Sequence, residues 1–335
     1  MRFTVAQENN PIQGALLRAM AGGGDMTIAS LRALSPLSDK AQVLVDRAVV
    51  DVGLNRLVVA ADLLAAGLSW PLTDPLSVTQ VEWDTQSKTG GAQRTMSPSA
   101  RGENQLTDRV HHRVPIYLTT DDFNVGIRTL KMSQRVGQPI DTTLVSQATR
   151  RVNESIEDAV INGAGLTVAG YSAPGILNAP NANTHTLSVD WDDAAELAAY
   201  TAGPKIFNDV QSMITKLQAD KKYGPYNLYV GTNYGIALDH DFKALSDWTI
   251  RQRLSMIEAG GRKLNIRVAD QMPATTVALV QMTNDVVEII NGQPPTVIPW
   301  TSLDGFTLYW LVMAIMVPRV RSDYDGQSGI CVGTL

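Results

Sequence analysis

The chain has 335 residues, 44% of them hydrophobic and 18% charged, and a formal net charge of −5, enough for two or three modules around real cores. Its Lys and Arg residues are scattered, so the basic footprint that grips nucleic acid through phosphate is missing, and any relationship with DNA is expected to be containment. The single cysteine, Cys331, excludes an intrachain disulfide framework and a thiolate metal site built from one chain.

The opening MRFTVAQENN has no apolar stretch of signal-peptide length, so export is not expected and synthesis in a reducing cytoplasm is the default. Residues 1–38 read as an arm: a short helical pattern at 12–20, a glycine break at 22–24 and an apolar patch at 28–34. From 39 to 66 the pattern turns helical, with Val43, Arg47, Val49, Val52, Arg56, Leu57, Ala60 and Leu64 mixing apolar and basic positions at three-and-four spacing. Gly53 weakens that helix, and Pro71 and Pro75 end it.

Residues 77–118 are the most unusual part of the chain, a long polar and Gly-rich stretch between apolar segments. Loops beyond roughly a dozen residues are rare in compact domains unless they are disordered or touch something else. Val78, Val81 and Trp83 going out, with Val114, Ile116 and Leu118 coming back, predict a two-stranded arm whose tip lies near Gly90 and Gly91. An isolated hairpin is marginal in water, so the arm is expected to lie on a neighbouring molecule.

Asp121 and Asp122 open a polar-capped segment, and a helix is then predicted over about 141–162, with Asp141 or Thr142 as N-cap. Leu144, Ala148, Val152, Ile156 and Val160 form its apolar stripe, Arg150, Arg151, Glu154, Glu157 and Asp158 its solvent side, and Gly163 and Gly165 stop it. A Gly-, Pro- and Asn-rich loop follows. Two helices are expected across 191–222, the first capped by Asp192 and the second started by Pro204 with Ile206, Val210, Met213, Ile214 and Leu217 inward.

Short strands then alternate with helical pieces: NLYVG at 227–231, a helical stretch near 248–257, LNIRVAD and TVALVQM. VVEII and TVIPW are expected as two strands flanking a turn at Asn291 and Gly292. The apolar run 306–317 is too short for a bilayer, which takes about 20 residues; it reads as a strand buried on both faces, with Pro318 near its end.

The site-like clusters lack the context chemistry needs. The GAG at 163–165 ends a helix, whereas a dinucleotide loop opens one, and residues 170–175 are one residue too long for a nucleophile elbow. Adjacent His111 and His112 point to opposite faces of a strand and cannot share a metal. Asp239, His240 and Asp241 could polarise an imidazole, but no Ser or Cys nucleophile lies nearby in sequence. The six tryptophans are expected mostly in cores.

In order and pattern, VHHRVPIYLTTDDFNVGIRTL, DTTLVSQATRRVNESIEDAVINGAG, AGYSAPGILNAP and GFTLYWLVMAIMVPRV resemble HK97-fold major capsid proteins of tailed bacteriophages and the related encapsulin shell proteins. The resemblance implies an α+β fold: an N-terminal arm (1–38), an N-terminal helix region of the peripheral domain (39–76), an extended E-loop (77–118), a peripheral domain with a spine helix (119–170), an axial α/β domain (171–279), and a return to the peripheral domain with C-terminal strands (280–335).

It further implies pentamers and hexamers in a closed shell in the virion, portal and scaffolding or decoration proteins as partners, double-stranded DNA enclosed without sequence-specific binding, no membrane, and no catalytic, cofactor or metal site. Trp83, Lys88, Arg94, Arg101 and Arg109 are the expected inter-subunit contacts of the E-loop. Lys88, the one lysine of the arm, is a candidate crosslink, with ordinary solvation as the competing reading. An encapsulin-type compartment is the alternative, and a soluble hydrolase using Asp239, His240 and Asp241 is the rival from another class.

Overall fold

The computed structural model describes residues 57–88, 94, 96, 106–135, 143–302 and 305–335. The N-terminal arm, most of the 39–66 helix and the tip of the long arm lie outside these residues. The helix that is described, α1 (Val59–Ala65), buries Val59, Ala60 and Leu63.

Two sheets organise the chain. The first has the order β1-β13-β14-β4, formed by β1 (Ser69–Pro71), β13 (Val287–Thr301), β14 (Thr307–Val320) and β4 (Thr119–Gly126). Asp121 and Asp122 therefore lie inside a strand and do not cap a helix; α2 (Ile127–Arg135) starts only after Gly126. One face of this sheet carries α3 (Thr143–Asn162). At about 1.5 Å per residue, α3 is about 30 Å long.

Burial along α3 corrects its sequence reading at two positions. Leu144 is 39% exposed and Val145 takes its place at the head of the buried stripe, while Glu157, assigned to the solvent side, is fully buried. Ala148, Val152, Ile156 and Val160 pack as expected. At the other end Gly163 takes φ +88°, the left-handed conformation that closes helices. The chain then doubles back, and the N–H groups of Ile176 and Leu177 donate to the carbonyls of Val160 and Ile161, which the last helical turn leaves unpaired. Gly175 permits that approach, because a Cβ there would sit 2.3 Å from the Gly163 nitrogen.

β13 corrects a second expectation. VVEII and TVIPW are one strand, paired with β14 from Val287↔Val320 to Thr301↔Leu308. Asn291 and Gly292, read as a hairpin turn, sit instead where the register shifts, and the bulges between Asn291 and Thr296 absorb Pro294 and Pro295. From Leu308 to Pro318 β14 is apolar because both its faces are covered. Leu308, Trp310, Val312, Ala314 and Met316 share a core with α3. Ile315 and Val317 face the other way, among residues of the arm's base such as Val81, Val114 and Ile116.

The second sheet has the order β11-β8-β12-β15-β7, from β7 (Asn183–Thr186), β8 (Tyr226–Val230), β11 (Asn265–Val268), β12 (Val277–Gln281) and β15 (Ile330–Thr334). β15 pairs antiparallel with β12 and parallel with β7. The C-terminal strand thus joins this sheet, whereas β13 and β14 belong to the first. Alternation is strict: Leu228, Val230, Val277, Leu279 and Cys331 pack against α5 (Ala202–Ala219), while Tyr229, Ala278, Val280, Ile330 and Val332 share the core of α1 and α3. With both faces covered, a continuous apolar run is what such strands require.

α4 (Ala194–Ala198) is capped by Asp193, not Asp192. Pro204 falls in the first turn of α5, where a missing N–H leaves no bond unmade. α6 (Thr232–Ala237) follows β8 directly, and α7 (Ile250–Ser255) begins with a capping box of Thr249 and Gln252. Of the six tryptophans only Trp191 and Trp310 are fully buried; Trp70, Trp248 and Trp300 are exposed.

Candidate functional site

The arm begins as β2 (Gln80–Gln86) and β3 (Arg109–Pro115), which among the described residues pair only with each other, from Gln80↔Pro115 to Gln86↔Arg109. Val81 and Val114 are buried on the sheet beneath, whereas Met96 and Leu106, farther out, are fully exposed. Each histidine is engaged by its cross-strand neighbour. His111 Nδ1 lies 2.5 Å from Asp84, and His112 stacks on Trp83 with ring centroids 5.7 Å apart and meets the Thr85 hydroxyl at 3.0 Å.

Beneath the arm, Arg319 of β14 is clamped between two indoles. Its guanidinium carbon lies 4.6 Å from the Trp70 ring centroid and 5.5 Å from that of Trp83, so β1 and the arm grip one cation. Glu288, directly across on β13, accepts hydrogen bonds from both Arg319 and Arg321 on a single oxygen. Glu288 and Arg319 are each 5% exposed, and burial holds the Arg319 guanidinium below its ordinary range.

A second fastening lies farther out. Lys88 Nζ pairs with Asp323 at 2.5 Å and Asp325 at 3.1 Å, and donates to Gln327 at 3.2 Å. From the other strand's approach, Asp108 accepts the Tyr324 hydroxyl at 2.7 Å. Hydrogen bonds to Asp323 and Asp325 raise the Lys88 ammonium above its usual pKa and lower Asp323 below the usual carboxylate range.

Among the expected inter-subunit contacts, Trp83 and Lys88 are therefore engaged by their own chain, Lys88 while still exposed to solvent. Arg94 and Arg109 are exposed, and Arg101 lies outside the described residues. The sequence reading missed Trp70, Glu288, Arg319, Arg321 and Asp323. The available signal was a charged residue at the end of an apolar run, Arg319 after Pro318, opposite Glu288 inside VVEII.

The three residues of the rival cluster have different surroundings. Asp239 pairs with Arg251 at 2.6 Å, and His240 and Asp241 border an open cavity of about 540 Å³ whose lining, which includes Asp192, Tyr200 and Asn233, has no Ser, Thr or Cys. His185 instead approaches Asp209 at 3.5 Å. Among the described residues no group of three His, Cys, Asp or Glu side chains is placed to hold a metal, and no helix is long and apolar enough to cross a membrane.

Residues 66–333 match the family described as "Family of unknown function (DUF6260)". The chain belongs to that family. No curated protein matches this DUF6260 chain in sequence. Its fold is similar to the virus-like particle from Pyrococcus furiosus, at 16% identity and TM-score 0.57 over 86% of this chain and 97% of that one. The capsid of Myoviridae phage XM1 matches at 11% identity and TM-score 0.61, over 81% and 90% of the two chains. A chain of Microbacterium phage Oxtober96 matches at 13% and 0.57, over 93% and 99%. This DUF6260 member has the HK97-type capsid fold.

Proposed function

We propose that the chain is the major capsid protein of a tailed bacteriophage, a structural subunit that self-assembles into an icosahedral shell around double-stranded DNA. The observation that carries this reading is the extent of the likeness: it covers 81% or more of this chain and 90% or more of the virus-like particle, the phage XM1 capsid and the Oxtober96 phage chain. The arm supports it. A two-stranded ribbon with its base packed inside the subunit and Met96 and Leu106 bare beyond it gains stability when a second copy covers it.

On this reading Arg94, Arg101 and Arg109 contact the neighbouring subunit, and the shell consists of pentamers and hexamers with portal and scaffolding or decoration proteins as partners. DNA is enclosed without sequence-specific binding. An acidic subunit suits a wall that must not trap a packaged polyanion. Purified protein is expected to elute at megadalton size and to show spherical shells by negative-stain electron microscopy. Monomers or dimers under all assembly conditions would sink the proposal.

The likeness to the Pyrococcus furiosus particle supports a second reading, an encapsulin-type compartment. Nucleic acid content decides between the two: particles from the native source that hold genome-length DNA support the capsid, and particles holding protein cargo support the compartment.

A further inference from the structure

Two guanidiniums share one oxygen of Glu288, so the buried cluster under the arm carries an excess of positive charge. The Nε atoms of Arg319 and Arg321 are buried and have no partner among the described residues. Such an imbalance is costly inside a protein unless an anion approaches. Arg321, the more open of the pair, borders two cavities. One, of about 470 Å³, is lined also by Asp84, Asp285 and Asp323, with Lys222 as their one further cation, and so is less suited to an anion.

The other cavity is different. It has about 310 Å³, at the lower end of the range for small-molecule sites, and lies between the base of β3, the β5–β6 turn (Thr167–Val168 and Tyr171–Ser172) and the end of β14. Trp83, His111, His112, Arg113, Tyr171 and Arg321 line it, and no Asp or Glu does, in a chain whose net charge is −5. Arg113 stacks over Tyr171 at 5.4 Å and pairs at 2.9 Å with Glu82, which is exposed. His111 and His112 use one ring nitrogen each on Asp84 and Thr85, leaving His111 Nε2 and His112 Nδ1 without a partner among the described residues.

We infer that this cavity is an oxyanion site, with Arg321 as the principal charge and Arg113 and His112 as additional donors. The ligand chemistry is a compact anion with several oxygens, supplied either by free phosphate or by an Asp or Glu side chain of a second copy. A guanidinium with planar N–H donors suits both. The site stands on the subunit alone and does not depend on shell formation.

Isothermal titration of the unassembled chain with sodium phosphate, against sodium chloride at matched ionic strength, is the direct test. Saturable one-site binding is expected, weakened about tenfold or more in Arg321→Gln, the usual scale for losing a charge-assisted hydrogen bond. Because Arg321 also holds Glu288, Arg113→Gln is the second variant; its loss touches only the exposed Glu82 and the ring of Tyr171, and binding is expected to weaken while the circular dichroism stays unchanged. No saturable binding, or equal binding in wild type and Arg113→Gln, overturns the inference. In a density map of assembled particles, a discrete anion in the cavity identifies free phosphate as the ligand, and a carboxylate from a second copy identifies the partner chain. Water alone in the cavity there overturns it.

Discussion

The Glu157 carboxylate, in the C-terminal half of α3, accepts the backbone N–H of Val59 at 2.6 Å across 98 residues of chain. The neighbouring N–H groups of Val58 and Ala60 complete the contact at 3.2 and 3.1 Å. These are the donors that the first turn of α1 leaves unpaired, so one helix caps another from its side. Glu157→Ala removes the acceptor and leaves buried N–H groups without partners. A loss of about 2 to 4 kcal/mol is expected, measured by urea denaturation of the unassembled subunit.

The same carboxylate makes stability depend on pH. Burial raises the Glu157 pKa above its ordinary 4.5, outweighing the backbone hydrogen bonds that lower it. With the folded value above the unfolded one, the folded state binds the proton more tightly. This contribution is full below the unfolded pKa, declines as pH rises through the folded value, and is absent above it. The wild type is expected to lose stability relative to Glu157→Gln between pH 4.5 and neutrality; parallel urea midpoints across that range would contradict the assignment.

Arg319→Met breaks a buried pair and empties the space between Trp70 and Trp83. Removing one member of such a pair costs about 3 kcal/mol or more, because the partner's charge stays behind. Double replacement with Glu288→Leu should recover part of the loss. Chemical denaturation with tryptophan fluorescence follows both effects, since the probes flank the mutated residue.

Lys88→Met should leave global unfolding unchanged and free the outer arm. Limited proteolysis between residues 88 and 108 is expected to accelerate, and salt should do the same to the wild type by screening the exposed pairs with Asp323 and Asp325. If assembled particles form, denaturing gels are expected to show monomer only, because Lys88 is occupied by partners of its own chain. A ladder above the monomer would reverse that expectation.

Deleting residues 84–109 with a short Gly-Ser bridge retains Val81, Trp83 and Val114, the part of the arm packed on the first sheet. The subunit should fold with a near-native urea midpoint and fail to make closed shells. Intact shells from this variant would show that the arm is dispensable.

Sequence pattern revealed the elements whose environment is uniform along their length. α3 is legible because its buried stripe repeats every three to four residues, and β14 because two covered faces make a continuous apolar run. Glu157 was misplaced because helical spacing reports only which side a residue occupies; the donors that make its burial tolerable belong to α1. β13 was cut in two because Asn-Gly followed by two prolines signals a turn unless a long partner strand overrides it, as β14 does here. The arm's grip on the subunit was invisible for a similar reason: Trp70, Trp83 and Arg319 meet only through sheet registry and packing.

β15 has a consequence for how the chain comes to be folded. Among the described residues β7 pairs only with β15, through Asn183↔Cys331 and the residues that follow, so β7 must wait for a partner made much later in the chain. Until then α5 has the inward faces of Met213 and Leu217 only partly covered, and the nascent chain presents a half-built sheet with an open edge. Distant pairing of this kind slows folding and prolongs exposure of sticky surface. Synthesis rate and chaperone supply, rather than the stability of the finished subunit, would then govern how much of the protein reaches its native form.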